Sequence, residues 1–267
     1  MARRHARGRA HKLERQPELC KLVLQRLGEG WSPEQIAGRR PRGRAAIASV
    51  TNPSTAIFIG AVGRSTEPCI ACCLAKSTGA AIVCSVADGR KTSILERVSI
   101  HDRPAVVDSR MRSGDGEADL MSFRKPGQFL LVAQERTSRR ALLMRQKTRT
   151  AQSVADNLSA MVEAMPASAC QSMTFDNGTE FSKHYLLNRR FGIQTWFCDT
   201  HSPWQKGGIE NAIGRLRRQL PRKTDLDALP VHDLELCLQR YNDTPRKCLA
   251  FKTPNEVFLQ LSVALQT

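Results

Sequence analysis

The chain has 267 residues, enough for one large domain and a small one, and its 41% hydrophobic and 25% charged content is that of a folded protein. Its charge is unusual: 41 Lys and Arg against 25 Asp and Glu give +16 at pH 7. That balance points to a polyanionic partner, nucleic acid first. The opening "MARRHARGRAHK" lacks the apolar core of a secretory leader, and no run of about 18 apolar residues marks a membrane span. Nine cysteines without disulfide-framework spacing fit a reducing compartment, so the expected location is cytoplasmic, beside the nucleoid.

Residues 1–44 hold twelve Lys and Arg against four Glu, half of the net charge. Within them, "LERQPELCKLVLQRLGEG" places Leu19, Leu22, Val23 and Leu27 on a helical stripe that Gly28 and Gly30 end. "WSPEQIAGR" restarts a helix: Ser32 is the N-cap candidate, Pro33 suits the first turn, and Gln35 stands three residues after Ser32. Two helices around a glycine turn on a basic segment predict a helix-turn-helix-like DNA-binding unit, with Arg39 and Arg40 as contacts. Residues 45–95 form an anomalous linker. Only Arg64, Glu67, Lys76 and Asp88 are charged between 45 and 88, and no helical or strand period is visible. "CIACC" has no second Cys pair or His pair to complete a zinc site. This stretch is expected to be disordered or the product of a shifted reading frame.

From residue 96 a core is expected. Strands are predicted at 117–123, 129–138 and 140–146, then a helix at 150–165, a strand at 172–175 and a helix at 181–190. A strand at 192–198 and a long helix at 208–220, with Ile209, Ile213, Leu216 and Leu220 on one face, complete it. Three antiparallel strands followed by helix, strand, helix, strand, helix is the order of the RNase H-like fold, an α/β architecture.

Three acids stand out. Asp119 lies between Ala118 and Leu120 in an apolar strand, where a carboxylate costs desolvation unless compensated; a water-facing edge position is the plainer alternative. Asp176 precedes Asn177-Gly178 and is either a turn residue or a site residue at a strand end. Glu210 follows Gly207-Gly208 in the first turn of a helix, where the dipole alone would favour it. In an RNase H-like sheet the three would converge, and hard oxygen ligands of that number suit two Mg²⁺ or Mn²⁺ ions. Asp115 is a rival placed outside the apolar strand. Lys183, Lys206, Arg215, Arg217 and Arg218 could line a phosphate-binding surface, Lys206 and Arg217 foremost, and Trp204 could stack on a base. His201 is either an active-site or a structural residue.

Over about 96–262 the chain resembles the DDE transposases of bacterial insertion sequences, of the insertion-sequence-thirty type. The likeness rests on "ERVSIHDRP", "GEADLM", "TFDNGTEF", "FCDTHSPWQKGGIENAIGRLRRQLPRKTDL" and "YNDTPRKCLAFKTPNEVF", and on the 33 residues between Asp176 and Glu210. The resemblance implies an integrase-type catalytic core with Asp119, Asp176 and Glu210 as triad, and places Arg217 at element-end DNA. It also implies an N-terminal unit on terminal inverted repeats, target DNA as second substrate, and a homo-oligomeric synaptic complex. A DNA-binding relic or a nuclease of the same fold is the alternative. Two departures stand out: residues 45–88 lack the family's basic segment, and Gly116 stands where the family has Trp. The latter should loosen the wall beside Asp119 at roughly 3 kcal/mol.

Overall fold

The computed structural model describes residues 16–39, 94–166 and 169–264. Arg40 and the anomalous stretch at 45–88 lie outside the described residues, so the shifted-frame expectation has no structural counterpart here.

Two short helices come first, α1 (Pro17–Gly28) and α2 (Pro33–Gly38). The capping box read from "SPEQ" is formed: the Gln35 amide N–H donates to Ser32 Oγ at 3.2 Å and the Ser32 N–H to Gln35 Oε1 at 2.7 Å. After a one-turn helix α3 (Ala105–Asp108), the core sheet is built from β1 (Asp115–Ser122), β2 (Phe129–Glu135), β3 (Ala141–Gln146), β4 (Ser172–Phe175) and β5 (Gln194–Phe197). Between and after them run α4 (Ala151–Glu163), α5 (Tyr185–Phe191), α6 (Gly207–Leu216), α7 (Val231–Asp243) and α8 (Pro254–Ala264).

The sheet order is β3-β2-β1-β4-β5. β1, β2 and β3 pair antiparallel, whereas β4 joins β1 in parallel and β5 joins β4 in parallel. The short connections between the first three strands allow hairpins, and the helices α4 and α5 supply the crossovers that parallel pairing requires. This order is the RNase H-like one, as the succession of elements led us to expect.

Strand alternation sorts the core into two layers. Ala118, Leu131, Ala133, Met173, Phe175 and Phe197 pack against α4 and α5. Met121, Leu130, Val132 and Leu143 pack on the other face against Ile209, Ala212 and Leu216 of α6 and Leu234 and Tyr241 of α7. Helix α6 is shorter than its apolar stripe suggested. It ends at Leu216, and Leu220 still reaches the core because its N–H donates to Leu216 O at 2.8 Å in one further turn before Pro221.

Two sequence expectations about β1 need correction. Gly116 faces the α4–α5 layer with Ala118, away from Asp119, and a Cβ there would meet Met173 Sδ at 2.7 Å. The space beside Gly116 is thus taken by Met173, next to a small cavity of about 30 Å³ that Asp119 does not line. Asp115 lies inside the strand, buried, where Arg112 and the Ser172 hydroxyl hold it at 2.6 Å each. It is a structural acid, four strand positions, or about 13 Å, from Asp119.

Candidate active site

The β1–β4 register pairs Glu117 with Thr174. Continuing it by two places brings Asp176, just past the end of β4, level with Asp119 on strands about 4.8 Å apart. Both face the α6 layer. Each carboxylate spends one oxygen on nearby backbone: Asp119 Oδ1 accepts from the Leu120 N–H at 2.7 Å, and Asp176 Oδ1 from the Gly178 N–H at 3.1 Å. Each turns its other oxygen to the same cation. Lys206 Nζ donates to Asp119 Oδ2 and to Asp176 Oδ2, both at 2.9 Å.

Lys206, expected on a phosphate-binding surface, is instead buried between the two acids. Sequence reasoning missed this because an ammonium on a long stem reads as solvated unless the acids are known to converge. Burial pushes the Asp119 carboxyl above its ordinary range, more than Lys206 and the Leu120 N–H pull it down, and Asp176 adds to the rise. Burial works against charge on Lys206 too, but the two carboxylates outweigh it and hold its ammonium above the usual lysine value. One ammonium shared by two acids leaves a site still short of positive charge.

The turn around Asp176 is fastened from outside. Asn177 donates to Cys198 O at 2.7 Å and accepts from Arg97 Nε at 2.9 Å, so the "ERVSIHDR" segment closes over the ends of β4 and β5. On the same rim His101 Nε2 meets Asp199 Oδ2 at 2.6 Å, and Gln205 holds Asp199 through both its amide ends. His201 is exposed on the following turn with φ of 59°.

Glu210 sits in the first turn of α6, exposed, one residue past the buried Ile209. Among the described residues no three His, Cys, Asp or Glu side chains are grouped closely enough to hold a metal. Of the three expected acids, two are thus brought together, and the third is exposed on α6 and not grouped with them. Trp204 is 74% exposed on the turn just before Lys206. Arg217 is only half-buried; it donates to Ser122 O and lies over the Phe123 ring at 4.9 Å, so packing engages it. Arg39 is engaged in an ion pair with Glu256. The site residue that sequence reasoning missed is Glu117, buried on the same face as Asp119. Its offset of two from Asp119 was the available signal.

A mixed sheet of this order defines the class: a protein with an RNase H-like α/β core. No protein-family model matches the chain. Curated relatives do. The chain is 31% identical to the transposase InsI of insertion sequence element IS30C from Escherichia coli, over 97% of this chain and 71% of that protein. It is 31% identical to the transposase of IS1086 from Cupriavidus metallidurans, over 90% and 72% of the two chains. The transposase of IS4351 from Bacteroides fragilis is 28% identical over 92% of this chain and 74% of that one. Among solved structures, the catalytic core domain of BIV integrase superimposes with a TM-score of 0.46 at 22% identity, over 58% of this chain and 99% of that one. The chain belongs to the IS30 family of insertion-sequence transposases.

Proposed function

We propose that Asp119, Asp176 and Glu210 form the catalytic acids of this DNA transposase, and that the two aspartates hold a divalent cation, Mg²⁺ or Mn²⁺, with Glu210 completing a second position. The observation that carries the reading is the shared ammonium: Asp119 Oδ2 and Asp176 Oδ2 already enclose one cation at 2.9 Å from each. Carboxylate oxygens are the ligands such hard ions select, so the residues present fit the group. A divalent cation there would act as a Lewis acid toward the scissile phosphate and make water acidic at neutral pH.

The chain's own residues account for the rest. The Gly178 N–H and the Leu120 N–H fix the two carboxylates so that their free oxygens point to one spot. Asn177 and Arg97 keep the strand end from moving as DNA enters. Lys206 holds the pair together with one ammonium, which a bound divalent cation would have to displace. The reaction is two phosphoryl transfers. Water attacks the phosphorus at the element end, the P–O3′ bond breaks, and the 3′ oxygen leaves as a hydroxyl. That hydroxyl then attacks a target phosphodiester and displaces another 3′ oxygen, joining the strands. The substrates are the terminal inverted repeats and target DNA. Joining two ends calls for a second protomer.

The test is cleavage of a plasmid carrying the DNA that flanks the coding sequence, by wild type and Asp176→Asn in Mn²⁺. We expect loss of at least about a hundredfold. Equal cutting by the two proteins removes Asp176 from the mechanism. Joining of a supplied 3′ hydroxyl to target separates a transposase from a nuclease of the same fold.

A further inference from the structure

We propose that Glu117 is a positioning residue for Glu210, acting through the first turn of α6; the proposal rests on the reading of Glu210 as the third acid. Glu117 is 1% exposed on β1, two places before Asp119 and on the same face. Its Oε2 accepts the Ile209 N–H at 2.8 Å, and its Oε1 accepts from Arg136 Nε at 3.0 Å. Arg136 is itself anchored, donating from Nη1 to Val107 O at 2.6 Å. The first four amides of a helix have no partner within it, and a carboxylate that caps one both satisfies it and meets the positive end of the dipole. Because Ile209 directly precedes Glu210, this bond sets the rotation of α6 and with it the direction in which Glu210 leaves the helix.

Gly208 supplies independent support. A Cβ at that position would lie 2.6 Å from Glu117 Oε2 and 3.2 Å from Arg139 Nη1. A side chain there would force either the Glu117 carboxylate or the helix to shift, so the glycine before Ile209 permits this close approach. One rigid strand therefore carries Asp119 directly and locates Glu210 through Glu117. A buried acid–arginine pair placed there for stability alone would not need its second oxygen on the turn that bears Glu210.

The experiment uses the full chain. Single-turnover nicking of a supercoiled plasmid carrying the flanking DNA is measured in Mn²⁺, together with DNA affinity and thermal unfolding. Glu117→Leu combined with Arg136→Leu removes both buried charges, a replacement that is often neutral for stability, and Glu117→Gln is the milder variant. We expect the apolar pair to fold and bind DNA like wild type but to nick about a hundredfold more slowly, the scale of a misplaced catalytic group. Glu117→Gln, which keeps an oxygen for the Ile209 N–H, should fall between. Added to Glu210→Gln, either change should slow nicking no further, because Glu117 acts through Glu210. Wild-type nicking by the apolar pair, or by Glu117→Gln if the pair does not fold, overturns the proposal while an inactive Glu210→Gln leaves the three-acid reading standing. A further loss in the combined variant also overturns it. Wild-type nicking by Glu210→Gln overturns both.

Discussion

Among the described residues, Lys206 is the one cation that Asp119 and Asp176 both hold. Its ammonium is shared by two carboxylates of unequal exposure, Asp119 at 22% and Asp176 at 41%. Removing one partner of a fully buried pair costs about 3–5 kcal/mol, and partial exposure of Asp176 reduces that. Lys206→Met should therefore destabilise the metal-free protein by about 1–2 kcal/mol, read as a lower urea midpoint. Added Mn²⁺ should raise the midpoint of the variant more than that of wild type, since the cation no longer competes with an ammonium. An unchanged midpoint without metal would mean that the two ion pairs add nothing. At Gly116 the expected outcome is the reverse of restoration. Gly116→Trp should destabilise by about 1–3 kcal/mol in thermal unfolding, because Met173 already fills the site.

At the scale of elements, the segment before α3 is held to the sheet by His184, just before α5. Its Nδ1 meets Thr195 Oγ1 of β5 and its Nε2 meets Leu95 O, each at 2.8 Å. Burial pushes the imidazole below its ordinary value, against the opposing pull of Leu95 O and Glu96. The folded state thus resists the proton that the unfolded chain accepts near pH 6.5, so this contribution is intact above pH 6.5 and is lost as pH falls below it. Urea midpoints of wild type and His184→Gln should converge on going from pH 7.5 to 5.5; a constant gap would show that His184 titrates alike in both states. The elements themselves were legible where pattern and caps agreed. Ser172–Phe175 has the bounds that "SMTF" before Asn177-Gly178 implied, and Ser32 caps α2 with Gln35 as its partner. α7 went unread, since Leu234, Cys237 and Tyr241 form its buried face among charged residues and no glycine or capping hydroxyl announces its start. The site was half legible: acids in odd places could be picked out, whereas the ammonium between them and the acid beneath α6 depend on neighbours far apart in the chain.

Over the whole molecule, helix α2 and Arg39 just after it are docked on the C-terminal segment. Gln35 Nε2 donates to Pro245 O at 2.7 Å, Glu34 pairs with Lys247, Arg39 pairs with Glu256, and Gly38 lies against the Phe251 ring. Both ion pairs reach solvent, Glu34–Lys247 the more so, and such pairs add little and weaken with salt. Hydrogen exchange should show residues 16–39 opening in 1 M NaCl while the amides of β1, β2 and β4 stay protected. Equal protection of 16–39 at both salt concentrations would mean that apolar contact, not charge, holds the unit.

The sequence by itself determined the charge that selects a polyanionic partner, the order of elements that makes an RNase H-like sheet, and which acids stand within its first strand, after its fourth and at a helix start. Those properties are local: a period, a cap, a turn or a composition is complete within a few residues. Tertiary structure alone decided that Asp119 and Asp176 enclose Lys206, that Gly116 faces away from them, and that Glu117 reaches the amide before Glu210. Each of these depends on strand register and on which face of a sheet a helix covers, and neither quantity is written in any single segment of the chain.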